Sequence, residues 1–166
     1  MKNLLLTLGL ILTFLITANA QRNYDTAIGA RLGYPISLSL KRYISDAGAI
    51  EANLGFRGNV SYNWIVVSGA YLHHKSFNID ELPSLNWYYG GGASVYFWSY
   101  DTDFLRSQYG STTIGLQGYL GVEYTFSEAP INITLDWVPT IFVNGFTSGF
   151  GGRYGSLGIR YVLGRN

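Results

Sequence analysis

The chain has 166 residues, no cysteine and a formal net charge of +1. That length suits one domain. The missing cysteines exclude disulfides, thiol catalysis and thiolate metal sites, and the near-zero charge argues against a nucleic-acid partner. Glycine (21) and tyrosine (14) are frequent while charged residues are few, a mixture poor for helices and suited to pleated sheet.

Residues 1–20 form a separate object. Lys2 gives a positive start, "LLLTLGLILTFLI" is apolar, and "ANA" ends at Ala20. This is the plan of a cleaved secretory signal peptide. Its apolar run, about thirteen residues, is too short for a spanning helix. No cysteine follows the cleavage site, so the plan is not that of a lipoprotein. Residues 21–166 are expected to form a single domain.

Alternating segments follow in chain order. Residues 24–34 set Ile28, Ala30 and Leu32 against Gly29, Arg31 and Gly33; residues 36–45 set Ile36, Leu38 and Leu40 against Ser37, Ser39 and Lys41. Residues 49–57 oppose Ile50, Ala52, Leu54 and Phe56 to Glu51, Asn53 and Arg57. Segment 64–76 has no clean face: Val66, Ala70, Leu72 and His74 share one parity, Val67, Tyr71, His73 and Lys75 the other. An inward Lys75 would turn His74 outward, and a bulge would change the assignment. In 85–98, Trp87, Tyr89, Ala93, Val95 and Phe97 oppose Asn86, Tyr88, Ser94, Tyr96 and Trp98.

Segment 113–126 alternates with strand period: Ile114, Leu116, Leu120, Val122, Tyr124 and Phe126 against Gln117, Tyr119, Glu123 and Thr125. In 131–143, Ile131, Ile133, Leu135, Trp137, Ile141 and Val143 oppose Asn132, Thr134, Asp136 and Thr140. Segment 154–164 places Leu157, Ile159, Tyr161 and Leu163 against Gly158 and Arg160. "SDAG" and "SEAP" are tight turns. "YDTDFLRSQYGST" and "NGFTSGFGG" are longer loops at the opposite end, and only the short connection at Tyr34–Pro35 breaks that asymmetry.

The sheet therefore has one apolar face and one carrying Arg31, Lys41, Glu51, Arg57, Glu123, Asp136 and Arg160 among glycines. A soluble lipocalin-like barrel binding an apolar ligand would turn the apolar face inward. A membrane barrel would turn it to lipid. Three features favour lipid. The polar face is rich in glycine and poor in lysine, as a crowded lumen requires. Its charges have mixed sign and can pair. Aromatics gather near segment ends as interfacial girdles, with Tyr43, Trp87, Tyr89, Tyr124, Phe126 and Tyr161 toward the turns and Phe56, Trp64 and Phe97 toward the loops. The expected fold is all-β: an eight-stranded antiparallel up-and-down transmembrane β-barrel after the signal peptide.

The closing "YGSLGIRYVLG" resembles the last strand of small eight-stranded outer-membrane barrels, the OmpA/OmpX-like group. "AIGARLGYPISLSLKRYI" with "AIEANLGFRG" resembles small barrel proteins of the Bacteroidetes type. The resemblance spans the mature chain. It implies an outer membrane of a Gram-negative bacterium, with outer-membrane lipid, periplasmic chaperones and the assembly machinery as partners. The family's last strand commonly ends on an aromatic residue, whereas Val162, Leu163, Gly164, Arg165 and Asn166 follow Tyr161 here.

That group includes an acyltransferase, so membrane-embedded acyl transfer or hydrolysis is an alternative activity. It would need a nucleophile, base and orienting acid together. His73 and His74 belong to the turn end, whereas Asp101, Asp103 and Ser107 belong to a loop across the barrel. Adjacent histidines on a strand also point to opposite faces. No catalytic residue, metal ligand or cofactor is therefore assigned. Asp101 and Asp103 alone make a poor calcium site, and Gly90–Gly92 precede no helix that would hold phosphate; the glycines instead relieve crowding in the lumen. Asn132 in "NIT" lies in a strand, not a glycosylation loop. The seven lumen charges are expected to be structural, Arg31, Arg57 and Arg160 pairing with Glu51, Glu123 and Asp136, because eight strands leave an interior just filled by side chains. Loops 100–112 and 144–152, through Tyr100, Phe104, Tyr109, Phe146 and Phe150, are the candidate contacts for an extracellular ligand. The expected role is structural or surface-interacting.

Overall fold

Side chains on a strand alternate sides, so a sheet that closes on itself must choose one face for its interior. The computed structural model describes residues 23–58, 62–100, 111–144, 149–152 and 154–164. Residues 1–20, with the expected signal peptide, lie outside them.

The strands are β1 (Thr26–Gly33), β2 (Ile36–Tyr43), β3 (Gly48–Gly58), β4 (Tyr62–Ser76), β5 (Leu85–Tyr100), β6 (Thr112–Thr125), β7 (Ile131–Trp137), β8 (Thr140–Phe142), β9 (Gly149–Gly151) and β10 (Gly155–Val162). Every pairing is antiparallel. Each of β1 to β6 pairs with the next, β7 with β10, and β10 with β1. With β7–β8 and β9–β10 each counted as one stave, the sheet is a closed eight-stranded barrel.

The seventh stave breaks at Val138–Pro139. Proline has no N–H for the ladder, yet Pro139 O accepts from Gly118 N (2.9 Å), and Val138 N donates to Tyr154 O (2.7 Å). In the eighth stave the pairings Trp137↔Gly155 and Thr140↔Gly151 set three steps of chain against four. One extra residue on one side is a β-bulge, which re-aims nearby side chains. Tyr154 packs against the buried aromatic cluster that holds Tyr96 and Phe142, its ring centre 5.9 Å from that of Phe142.

The interior is the polar face. Arg31, Lys41, Glu51, Glu123, Asp136 and Arg160 are buried, while Leu38 is 64% and Leu135 60% exposed. The same alternation puts Ile28, Ile50, Leu54, Leu116, Leu120 and Ile159 on the exterior. Segment 64–76 settles against an inward Lys75. β4 runs in one uninterrupted register from Gly48↔His73 to Gly58↔Asn63, and His74 is fully buried. Leu72 and Ala70 point inward because Tyr88, Tyr119 and Val138 offer them an apolar layer inside the lumen. Lys75 instead stands over the Trp87 ring, 6.0 Å from its centre. Tyr43 and Trp64, expected in the girdles, are also turned inward and buried. Tyr43 meets Tyr24 edge to face, and Trp64 meets Tyr96.

The segments flanking β1 and β10 secure the turn end. Asp25 N donates to Gly164 O (2.8 Å) and Tyr43 N to Asp25 O (2.9 Å). Tyr24 is fully buried in a cluster with Ala27, Tyr43, Ala49 and Val162. The opposite rim is uneven. β4 and β5 have 15 and 16 residues against 8 each in β1 and β2, so the wall is low at the Tyr34–Pro35 connection.

Glycines make room for the lumen side chains. A Cβ on Gly90 would lie 2.9 Å from Leu72, and one on Gly92 2.8 Å from Ala70. At Gly121 it would lie 2.6 Å from Tyr88 and 2.8 Å from Asp136. Gly121→Val should therefore destabilise by about 1–3 kcal/mol. Gly69 has nothing within 4 Å, and Gly69→Ala should stay within about 0.5 kcal/mol of the parent. Urea-unfolding midpoints of both variants in detergent check the pair.

Candidate functional site

The lumen is filled from the turn end upward by a column of paired charges. At the bottom, Glu123 on β6 receives the Tyr43 hydroxyl on Oε1 (2.7 Å) and the Tyr24 hydroxyl on Oε2 (3.3 Å). Lys41 Nζ on β2 donates to the same Oε2. The Lys41 ammonium also lies 4.8 Å from the Tyr88 ring centre, a cation–π contact. His74 Nδ1 faces the Ala47 carbonyl at 3.3 Å and must donate there, while Nε2 lies 3.8 Å from Glu123 Oε1.

One layer higher, Oε1 of Glu51 on β3 takes Arg160 Nη2 (2.6 Å), Arg31 Nη1 (3.2 Å) and the Ser39 hydroxyl (2.9 Å). Arg160 on β10 spends its other donors on Ser39 Oγ (2.8 Å) and Thr134 Oγ1 (3.0 Å). At the top, Arg31 Nη2 donates to Asp136 Oδ1 (2.6 Å) and its Nε to Ser156 Oγ (2.9 Å). Tyr88 and Ser156 donate to the two oxygens of Asp136, each at 2.7 Å. Arg31, Lys41 and Arg160 thus balance Glu51, Glu123 and Asp136 one for one.

Above Arg31 the column ends in a cavity of about 50 Å³, lined by residues from every side of the barrel, among them Asn53, Ser68, Gln117, Tyr34 and Tyr154. Aromatic rings crowd its mouth. Tyr34 stands 6.0 Å from Trp64 and 5.7 Å from Tyr154, and Tyr96 stands 5.4 Å from Phe142, centre to centre.

Of the charges singled out in the sequence, Arg31, Lys41, Glu51, Glu123, Asp136 and Arg160 lie within this column. Arg57 does not join it. It is exposed at the rim, its guanidinium 3.7 Å from the Tyr34 ring centre. Its strand parity points inward, but its height lies above the carboxylates, and Lys41 takes the place beside Glu123. The hydroxyls of Tyr24, Tyr43 and Tyr88 complete the carboxylate shells and were not singled out from the sequence; Tyr88 alone carried a signal, sharing parity with Asn86 and Ser94.

Among the loop candidates, Phe150 on β9 is 72% exposed and Tyr100 closes β5. Phe104, Tyr109 and Phe146 lie outside the described residues, as do Asp101, Asp103 and Ser107. Asn132 of "NIT" is buried and donates to Thr125 Oγ1 at 2.9 Å. His73 leans on Tyr89 at the exterior, ring centres 5.4 Å apart. Among the described residues no serine or threonine hydroxyl is bonded to His74, so its neighbourhood is carboxylate, ammonium and phenol.

A charge placed in a dry lumen without its partner pays most of its desolvation. Lys41→Met should therefore cost roughly 3–5 kcal/mol by stranding Glu123. The double variant Lys41→Met/Glu123→Gln should recover part of that loss, because a neutral amide still accepts from Tyr43. Equilibrium unfolding of both variants and of Glu123→Gln alone, read as a double-mutant cycle, checks the coupling.

No family model matches the chain, and no curated protein does. Among solved structures, the crystal structure of the N-terminal β-barrel domain of Pseudomonas aeruginosa OprF is similar, with a TM-score of 0.59 and 13% identity. The match covers 84% of this chain and 98% of that one. At that identity the likeness concerns the fold, and it agrees with the strand pairing: the chain is an all-β, closed, eight-stranded antiparallel barrel.

Proposed function

We propose that the chain is an integral outer-membrane β-barrel protein of a Gram-negative bacterium, exported through a cleaved signal peptide, with a structural or surface-interaction role. The observation that carries this reading is the inside-out distribution of its side chains. Leucine, isoleucine and valine ring the exterior of every stave, while six acidic and basic side chains pair in the interior. Water would penalise such an exterior, since soluble proteins rarely expose apolar patches beyond a few hundred Å². A bilayer rewards it, and the closed ladder leaves no unpaired edge around the barrel's waist to desolvate. A soluble lipocalin-like barrel needs the opposite facing, with an apolar ligand inside. Here the interior holds ion pairs and a cavity of about 50 Å³, far below the roughly 300–1,000 Å³ of small-molecule pockets.

The short connections at 44–47, 77–84 and 126–130 then face the periplasm, and the long ones the exterior. Arg42 and Lys75, on outward positions at the turn end, would sit among lipid head groups beside Trp87 and Tyr161. Biogenesis would require periplasmic chaperones and the assembly machinery, and the sequence patterns suit a barrel of the Bacteroidetes type. The charge column blocks the lumen, so the reading favours an anchor that presents loops over an open pore. Loops 100–112 and 144–152, with exposed Phe150, would supply the contact with an extracellular ligand.

Fractionation tests the reading. The folded protein should stay with washed membranes in buffer, require detergent for release, and shift in gel mobility on heating. Release into plain buffer as a folded monomer would overturn it. Leu54→Arg sharpens the test. Its site is about half exposed on the outer face, between Leu38 and Val67. Folding into lipid vesicles should weaken by roughly 2–4 kcal/mol if that residue meets the bilayer core. An unchanged folding free energy would place it in water.

A further inference from the structure

We propose that the cavity above Arg31 is a binding site for a small neutral polyol, or for the hydroxyl-bearing end of a neutral sugar, with Asn53 as its principal hydrogen-bonding residue. Asn53 projects from β3 into this cavity and is only 6% exposed, yet neither its amide nitrogen nor its amide oxygen has a partner. An asparagine side chain offers two donors and two acceptor positions. Buried polar groups are nearly always satisfied, and one that is not calls for an explanation. The charged lumen groups directly below have their partners, and of the orphaned groups, which include Asn86 and His74 Nε2 lower in the lumen, Asn53 is the one that lines this cavity.

The chemistry around Asn53 selects the guest. Ser37 and Ser68 line the cavity with hydroxyls that donate and accept. Gln117 takes the Tyr119 hydroxyl on its Oε1 at 3.1 Å, and its amide N–H groups remain on the donor side. Arg31 is the charged group in the lining, and its Nε, Nη1 and Nη2 already serve Ser156, Glu51 and Asp136. An anion would find that charge cancelled, and a cation would find no spare carboxylate. A neutral molecule whose groups both donate and accept fits what is left. Rings of Tyr34, Tyr96 and Tyr154 supply apolar faces for its C–H groups.

Size and access agree with that class. A volume of about 50 Å³ holds a few waters, at roughly 10–15 Å³ each, or the diol end of a larger guest with its remainder in the mouth. The wall is lowest at Tyr34–Pro35, and both residues line the cavity.

The test is a titration of isotopically labelled protein in detergent micelles with glycerol and with glucose, following by NMR the Asn53 side-chain amide and the backbone amides of Ser37, Ser68 and Gln117, which remain in the variants. The expected result is a saturating shift for both, weakened roughly tenfold in Asn53→Leu as one or two hydrogen bonds are lost. Glucuronate, the anionic analogue, should bind no more tightly than glucose. Shifts that rise linearly without saturating, or that persist unchanged at neighbouring residues in Asn53→Leu, would mean that water alone occupies the cavity. Glucuronate binding more than about tenfold tighter would overturn the neutral class. If Asn53→Leu loses its heat-dependent gel shift and is unfolded, Ser68→Ala carries the test. Binding weakened in that variant supports the site, and binding unchanged overturns it.

Discussion

The barrel depends on how one carboxylate oxygen is shared. Oε1 of Glu51, on β3, is bonded by Arg160 from β10, Arg31 from β1 and Ser39 from β2. Arg31 continues to Asp136 on β7. These links run across the seam where the first and last strands meet, the one pairing in the ring whose partners are far apart in the chain. Burying such a group is expensive, and ion pairs of this kind seldom contribute much net stability against an apolar alternative. What they contribute here is register. A slip of one residue between β1 and β10 would carry Arg160 to the apolar exterior and leave Glu51 without its strongest partner. The apolar belt alone discriminates less, because Leu157, Ile159 and Tyr161 would still meet apolar neighbours after a slip of two.

The same column sets what the rest of the lumen can be. Its lower layers are sealed by Tyr24, Tyr43 and Tyr88, which supply hydroxyl donors to carboxylates and ring area to the walls at once. Phenols suit this double duty better than more lysines, since they add no charge to be balanced. Glycines opposite them accept the rings, as at Gly121 beneath Tyr88. Above Arg31, among the described residues, the cavity lining holds no carboxylate, and the lumen changes to amides, hydroxyls and aromatic faces. The lower lumen is thus a packed ionic core and the upper lumen a small polar vestibule.

Much of this was legible in the sequence because strand parity is a strong signal wherever the two faces differ. Residues 113–126 and 131–137 assigned themselves, with glycines and threonines facing isoleucines and leucines. Segment 64–76 was not legible. Val66, Ala70 and Leu72 share a parity with His74 that an inward Lys75 would have turned outward, but an aromatic layer inside the lumen is equally apolar and took them. Tyr43 and Trp64 were obscured for the same reason, since an aromatic ring suits both an interface and a packed lumen. Parity also says nothing of height along the strand. Arg57 has the inward parity of Glu51 and Asn53 but stands at the rim on Tyr34, and Lys41 holds Glu123. Bulges escape a pairwise reading altogether. The additional residue between Gly151 and Gly155 is visible only once the facing strand is known.

A sequence that satisfies its buried groups almost everywhere makes its exceptions informative. Among the described residues, the orphaned buried side-chain atoms are those of Asn53, Asn86 and Nε2 of His74. Asn86 lies across from Glu123 and His74 Nε2 lies 3.8 Å from that carboxylate, both in the packed lower lumen. Asn53 sits in the vestibule, beside the lowest part of the rim. Val66 and Tyr96 line the same cavity, so an apolar side chain at that position would meet apolar neighbours, as Leu72 does in the layer below. A buried amide left unsatisfied beside a cavity under the low rim is better explained by what that cavity takes up than by what holds the barrel together.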